Sequence, residues 1–189
     1  MAGERPPDQA AVERAVAELI RALGLSADRE PELARTPARV ADLYTECLSG
    51  RDPTAHPDLA TIPHAGQGGL VVVRDLEFHS LCVHHLVPFF GRALVAYLPG
   101  DTLVGISAAA RLLEHYSRRL QLQERLGQQI ADHLERIIRP RGVAVVLEAR
   151  HLCMEMRGIR KRGWVETRAV RGELQDPAWA EALRLGPER

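Results

Sequence analysis

The sequence is poor in lysine, aromatics, cysteine and long apolar runs, and each shortage excludes something. Its 25 basic and 25 acidic side chains cancel to a formal net charge of zero, which leaves no electrostatic footprint for nucleic acid or an anionic membrane. No stretch approaches the roughly 18 consecutive apolar residues of a membrane helix, so no membrane-spanning segment is expected. The opening MAGERPPDQAAVERA lacks an apolar core after a basic start, which argues against a secretory signal and for a cytoplasmic location. Three cysteines, Cys47, Cys82 and Cys153, are too few and too scattered for a disulfide framework, and point to core packing or metal chemistry. Lys161 is the only lysine, so almost every positive charge is a guanidinium.

What remains is an ordinary globular profile, 189 residues with 46% hydrophobic side chains, enough for one domain of about 150 residues and an appendage. Val12, Val16, Leu19, Ile20 and Leu23 recur at helical spacing before Gly24, and a second helix is expected from Thr36-Pro37 to about Leu48. Thr36 reads as its capping residue, and Cys47 falls on its apolar stripe, which assigns that thiol to the core. The stretch from Asp52 to Gly69, rich in proline, glycine and histidine, reads as a long connection.

Strands follow at Leu70–Leu76, Arg92–Leu98 and Leu103–Ile106, the last two separated by Pro99-Gly100-Asp101 as in a hairpin. Two helices come next, one opening at Ser107 and one carrying Leu122, Leu126, Ile130, Leu134 and Ile137 up to Pro140. Gly142–Ala149, His151–Met156 and Trp164–Leu174 complete an α+β order of strands, helices and strands, expected to place helices on one face of an antiparallel sheet. The boundaries expected are 1–68 for an N-terminal helical region and linker, 69–175 for the α+β domain, and 176–189 for a C-terminal tail.

The chemistry-bearing residues concentrate at two places. Cys82-Val83-His84-His85 packs a thiol and two imidazoles into four residues, which suits zinc but cannot normally close a whole tetrahedral site. Another ligand must come from elsewhere, and His151-Leu152-Cys153 is the other place where cysteine adjoins histidine. On an extended strand His151, Cys153, Glu155 and Arg157 would share one face. Zinc held by Cys82, one of His84 or His85, and Cys153 would leave a fourth position for water, the arrangement of a catalytic metal. Ser107 to Arg111 opens a helix whose first turn favours an anion, and Arg39 and Arg157 could add forked phosphate donors. Taken singly, these arginines read as solvated surface charges, and Gln123-Glu124 as a favourable helix start.

Together, Ser80-Leu81-Cys82-x-His84-His85-Leu86-Val87-Pro88-Phe89, Gly105-Ile106-Ser107, the run from Arg118 to Leu126, and His151-Leu152-Cys153-Met154-x-Met156-Arg157-Gly158 resemble the GTP cyclohydrolase I family. The resemblance runs from about Thr36 to Gly158. It implies a tunnelling fold, a four-stranded antiparallel sheet with two helices on one face, preceded by N-terminal helices and assembled into a toroidal homodecamer. It implies zinc on Cys82, His85 and Cys153, with His84 and His151 as acid–base residues. Gln123 and Glu124 would recognise guanine, Ser107 would contact the sugar, and Arg39, Arg111 and Arg157 would hold the triphosphate of GTP. The implied reaction opens the guanine imidazole ring at C8, releases formate and gives 7,8-dihydroneopterin triphosphate.

Three positions depart from the family pattern. Val83 stands where glutamate is usual, Ala108 where lysine is usual, and Glu155 where an acid is not. These departures leave room for a divergent paralogue that takes another purine nucleotide or stops at a ring-opened formamidopyrimidine, and for a non-catalytic zinc-containing ring that binds nucleotide.

Overall fold

The computed structural model describes residues 7–51, 57–65 and 68–186, so part of the expected 52–69 connection lies outside the described residues. The chain divides into two compact units, Met1–Ala55 and His56–Arg189.

In the first unit, α1 (Gln9–Ala22) starts where the Asp8 carboxylate accepts from the Ala11 N–H, and the chain leaves it through Gly24 at φ 78°. A 3-10 turn, Pro31–Arg35, runs directly into α2 (Thr36–Cys47). Thr36 is therefore the first helical residue and not a side-chain cap, because the preceding turn already winds the chain into the helix. Within α2 only Ala41 is buried, Leu43 is exposed and Cys47 is half-buried. The core assignment of Cys47 is corrected accordingly: in this unit α1 and α2 pack mainly on each other, and two helices enclose little space.

The second unit is built on a five-stranded sheet in the order β5-β2-β3-β6-β7. Its strands are β2 (Val71–Cys82), β3 (Pro88–Leu98), β5 (Leu120–Gln121), β6 (Gly142–His151) and β7 (Val165–Gly172). The four long strands pair antiparallel in sequence order, and β5 is a two-residue parallel addition at the β2 edge. Two helices, α3 (Ser107–Ser117) and α4 (Gln123–Ile138), pack on one face. This is the expected tunnelling fold, with one short extra strand.

Between helices and sheet lies the main core, in which Phe78, Phe89, Val95, Leu112, Leu126, Ile130, Leu134, Val145 and Leu147 are almost fully buried. A smaller cluster of Leu94, Ala96, Leu98, Ala144 and Val146 occupies the opposite face. It is covered by Leu174, Leu183 and the partly buried Trp179 and Leu185 of the C-terminal segment. Among the described residues, no helix is long and apolar enough to cross a membrane.

Two expected pairings differ. Residues 102–104 form a strand, β4, but it pairs with β1 (Thr61–Pro63) in a separate two-stranded sheet and not with β3 as a hairpin. The cause is topological, since β2 and β6 already occupy both edges of β3. The second difference is at 151–156: β6 ends at His151, and Leu152–Glu155 wind into a short helical turn, α5. The ladder partners run out there, because Ala149 is the last residue paired with β7 and His151 the last paired with β3.

The strand β2 contains a register shift between Val73 and Leu76, where Asp75 adopts φ 53°. Upstream, Val71 and Val73 face the helices; downstream, Phe78 and Cys82 do. The bulge thus moves the buried face from odd to even residues and turns Cys82 toward the helix side.

Candidate metal centre and adjoining histidine

Beyond Cys82 the chain reverses within a tight turn. The Cys82 carbonyl accepts from the N–H groups of His85 (3.3 Å) and Leu86 (2.9 Å), and the Cys82 N–H donates to Val87 O at 2.9 Å. Leu86 takes φ 57° to complete the reversal, and the Val83 N–H donates to Gln121 O at 3.0 Å, tying the turn to β5. Both imidazoles are thereby folded back on the thiol: Nδ1 of His84 lies 3.9 Å and Nδ1 of His85 3.8 Å from Cys82 Sγ.

Cys153 meets them from α5. The ligand atoms of Cys82, His85 and Cys153 all lie within 4.8 Å of one another. A tetrahedral zinc with bonds of about 2.0 to 2.3 Å sets neighbouring ligand atoms about 3.5 to 3.8 Å apart, so a small contraction closes the group around an ion. The donor chemistry agrees, two thiols and one imidazole. Burial pushes the Cys153 thiol above its ordinary pKa, and Cys82 beside it adds to the shift while Arg157 opposes it. Partial desolvation holds His85 below its usual value, with Arg157 and His84 adding. The imidazole is therefore biased toward its neutral, ligating form, whereas each thiol must release a proton to a cation. Arg157 contacts Nε2 of His85.

His151 closes β6 next to this group. Its ring stacks on Phe89, centroids 4.9 Å apart and planes 3° from parallel, and its Nε2 lies 2.7 Å from Oε1 of Gln123. Gln123, in the first turn of α4, is only 2% exposed, and its amide nitrogen donates to Leu147 O (3.0 Å) and Val165 O (2.8 Å). Two main-chain carbonyls can only accept, so the amide orientation is determined and its oxygen faces the imidazole. His151 Nε2 therefore carries a proton, and Nδ1 is the nitrogen free to exchange one. Burial lowers the pKa of His151, while Glu124 and Glu155 pull it the other way.

The structure thus gathers Cys82, His84, His85, Cys153 and Arg157, with His151 and Gln123 adjoining. Glu124 is exposed at the start of α4. Ser107 is exposed at the start of α3, and the Arg111 guanidinium on the same helix donates to Asp58 O at 3.2 Å. Arg39 is exposed on α2 in the first unit. The expected single chemical face of a 151–157 strand is corrected: α5 turns Glu155 away to a fork with Arg150 (2.9 and 2.5 Å), not beside Arg157. Ala108 is 3% exposed and packs in the main core.

Sequence reasoning missed Phe89 as a platform for His151 and Arg150 as the partner of Glu155. The only available signal was opposite charge five residues apart across His151 and Cys153.

Known proteins point the same way as this geometry. The family model described as GTP cyclohydrolase I matches residues 12–185. A GTP cyclohydrolase 1 of Streptomyces griseus is 49% identical over 182 residues, covering 94% of this chain and 90% of the relative. Those of Thermobifida fusca and Bacillus subtilis are each 46% identical, over 94% and 90% of this chain and 88% and 90% of their own. Identity this high over nearly the full length, on a fold that gathers the two separated Cys/His motifs, places the chain in the GTP cyclohydrolase I family.

Proposed function

We propose that the protein is a zinc-dependent hydrolase that opens the guanine imidazole ring of GTP at C8, releases formate and forms 7,8-dihydroneopterin triphosphate. The observation that carries this reading is the convergence of Cys82, His85 and Cys153 within 4.8 Å, next to a histidine of defined tautomer, in a member of this family. Zinc held by those three residues would supply Lewis acidity for activating water at C8.

The rest of the work falls to the chain. His151, held by the Phe89 stack and the Gln123 oxygen, exchanges a proton at Nδ1 with the opening ring. His84, exposed on the same turn as His85, is the second proton carrier. Glu124 offers a carboxylate to the exocyclic amine and ring N–H of guanine. Ser107 serves the sugar, and Arg39, Arg111 and Arg157 the phosphates. The working form is a homo-oligomer, a decamer by family resemblance, in the cytoplasm.

The test is to load the protein with zinc, add GTP, then oxidise and assay pterin fluorescence together with formate. Equal yields of formate and pterin are expected, lost on chelation and restored by zinc. Absence of both at full zinc occupancy overturns the proposal. Formate without pterin, or better turnover of GMP than of GTP, replaces it with the truncated or altered-substrate reading that Ala108 favours.

A further inference from the structure

Of the three residues gathered at the metal centre, Cys82 ends a laddered strand and His85 lies in a turn closed by main-chain hydrogen bonds. Cys153 packs against the main core but lies two residues beyond His151, where the strand ladder ends. It rides on α5, only four residues long, whose end is capped by the Met156 N–H donating to Leu152 O at 3.0 Å. The main chain of the segment that follows bonds back through Lys161 N–H to Met154 O and Arg160 N–H to Arg157 O, both 3.3 Å, and its Arg157 side chain contacts Nε2 of His85.

The side chain of Glu155 supplies what the backbone lacks. Its two oxygens accept from Nε and NH2 of Arg150 at 2.9 and 2.5 Å, a forked pair that closes around His151, Leu152, Cys153 and Met154. Both side chains are largely shielded, 25% and 12% exposed. The guanidinium lies over the Phe90 ring at 5.6 Å, and Phe90 is the cross-strand partner of Arg150. His151, one residue further on, faces the helix side with Phe89, so the fork braces α5 from the other side of the sheet.

We infer that the Arg150–Glu155 pair is a positioning device for the metal centre, holding the α5 turn so that the Cys153 thiol stays at ligand distance from Cys82 and His85 before an ion arrives. This rests on the reading that those three residues hold zinc. It gives Glu155 a use on this chain, an acid that anchors a ligand-bearing turn, its charge matched by Arg150 and not directed at a phosphate. Ligand side chains that are loose must be ordered at the moment of binding, which weakens the complex; supporting contacts of this kind are worth about 10- to 100-fold in metal affinity.

The experiment measures the zinc dissociation constant of the full-length protein by competition with a chromophoric chelator, with thermal unfolding of the metal-free form recorded alongside. Glu155→Ala removes the fork and should raise the constant about tenfold or more. Glu155→Gln keeps the volume and one acceptor, so it guards against misfolding and should fall between Glu155→Ala and wild type. Arg171→Gln is the control, because Arg171 ties α4 to β7 through Asp132 and Glu135 (2.6 Å to the latter) without touching α5. It should leave zinc affinity within about twofold. Wild-type affinity in Glu155→Ala, or an equal loss in Arg171→Gln, overturns the inference while leaving the zinc reading intact. A wild-type protein that binds no zinc overturns both.

Discussion

Gln123 shows how much a single side chain's bonding can decide. Its amide hydrogens are engaged by Leu147 O and Val165 O, and its oxygen by His151, so both of its donors are committed within the chain. Donation to guanine by this side chain would require breaking bonds that are buried at 2% exposure, at a cost of about 1 to 3 kcal/mol for each orphaned partner. Orientation of His151 is the use its geometry supports, and Glu124 beside it is the exposed acceptor. Gln123→Leu should then lower kcat by about 10- to 100-fold while KM for GTP stays within about threefold, with zinc content unchanged. A rise in KM with kcat preserved would instead restore Gln123 to the guanine site. Steady-state kinetics on zinc-replete protein distinguishes the two.

At the scale of elements, the β2 bulge decides whether Cys82 can join the centre at all. Asp75 sits at φ 53°, which a short polar side chain or glycine tolerates and a β-branched residue does not. Asp75→Val should destabilise the fold by about 1 to 2 kcal/mol, whereas Asp75→Gly, despite losing the 3.4 Å contact with Arg92, should stay close to wild type. Chemical denaturation of both variants checks the contrast. The bulge also marks a limit of sequence reading. The run Leu70–Leu76 announces a strand, but nothing in its pattern announces the extra residue that reverses its faces. Strict alternation at 151–157 failed for a related reason, since periodicity says which residues share a face only while the ladder lasts, and here it stops at His151. The ligand types were legible because thiols and imidazoles carry their chemistry in any conformation. Helices α3 and α4 were legible because their apolar spacing is long and unbroken.

For the whole molecule, the two faces of the sheet divide the labour. The helix face carries the main core and the end of the sheet where Cys82, Phe89 and His151 converge; the opposite face carries the smaller cluster and its C-terminal cover. That cover is held by Leu174 and Leu183, 2% and 3% exposed, and by the Arg74 guanidinium, which donates to Ala182 O (2.8 Å) and Arg184 O (3.1 Å). The composition gave no hint of this, because a short tail with scattered leucines looks the same whether it is docked or solvated. Truncating Leu183 to alanine opens a void in the cluster that holds Leu94 and Val146, so a loss of about 2 to 4 kcal/mol is expected on denaturation. The hydrogen bonds of the Cys82 turn and the Arg150–Glu155 fork do not involve the cover, so zinc affinity of the folded variant should remain within about twofold of wild type. A variant that lost zinc in step with stability would show that the two faces are one cooperative unit, with the metal centre dependent on the whole sheet and not on its own end of it.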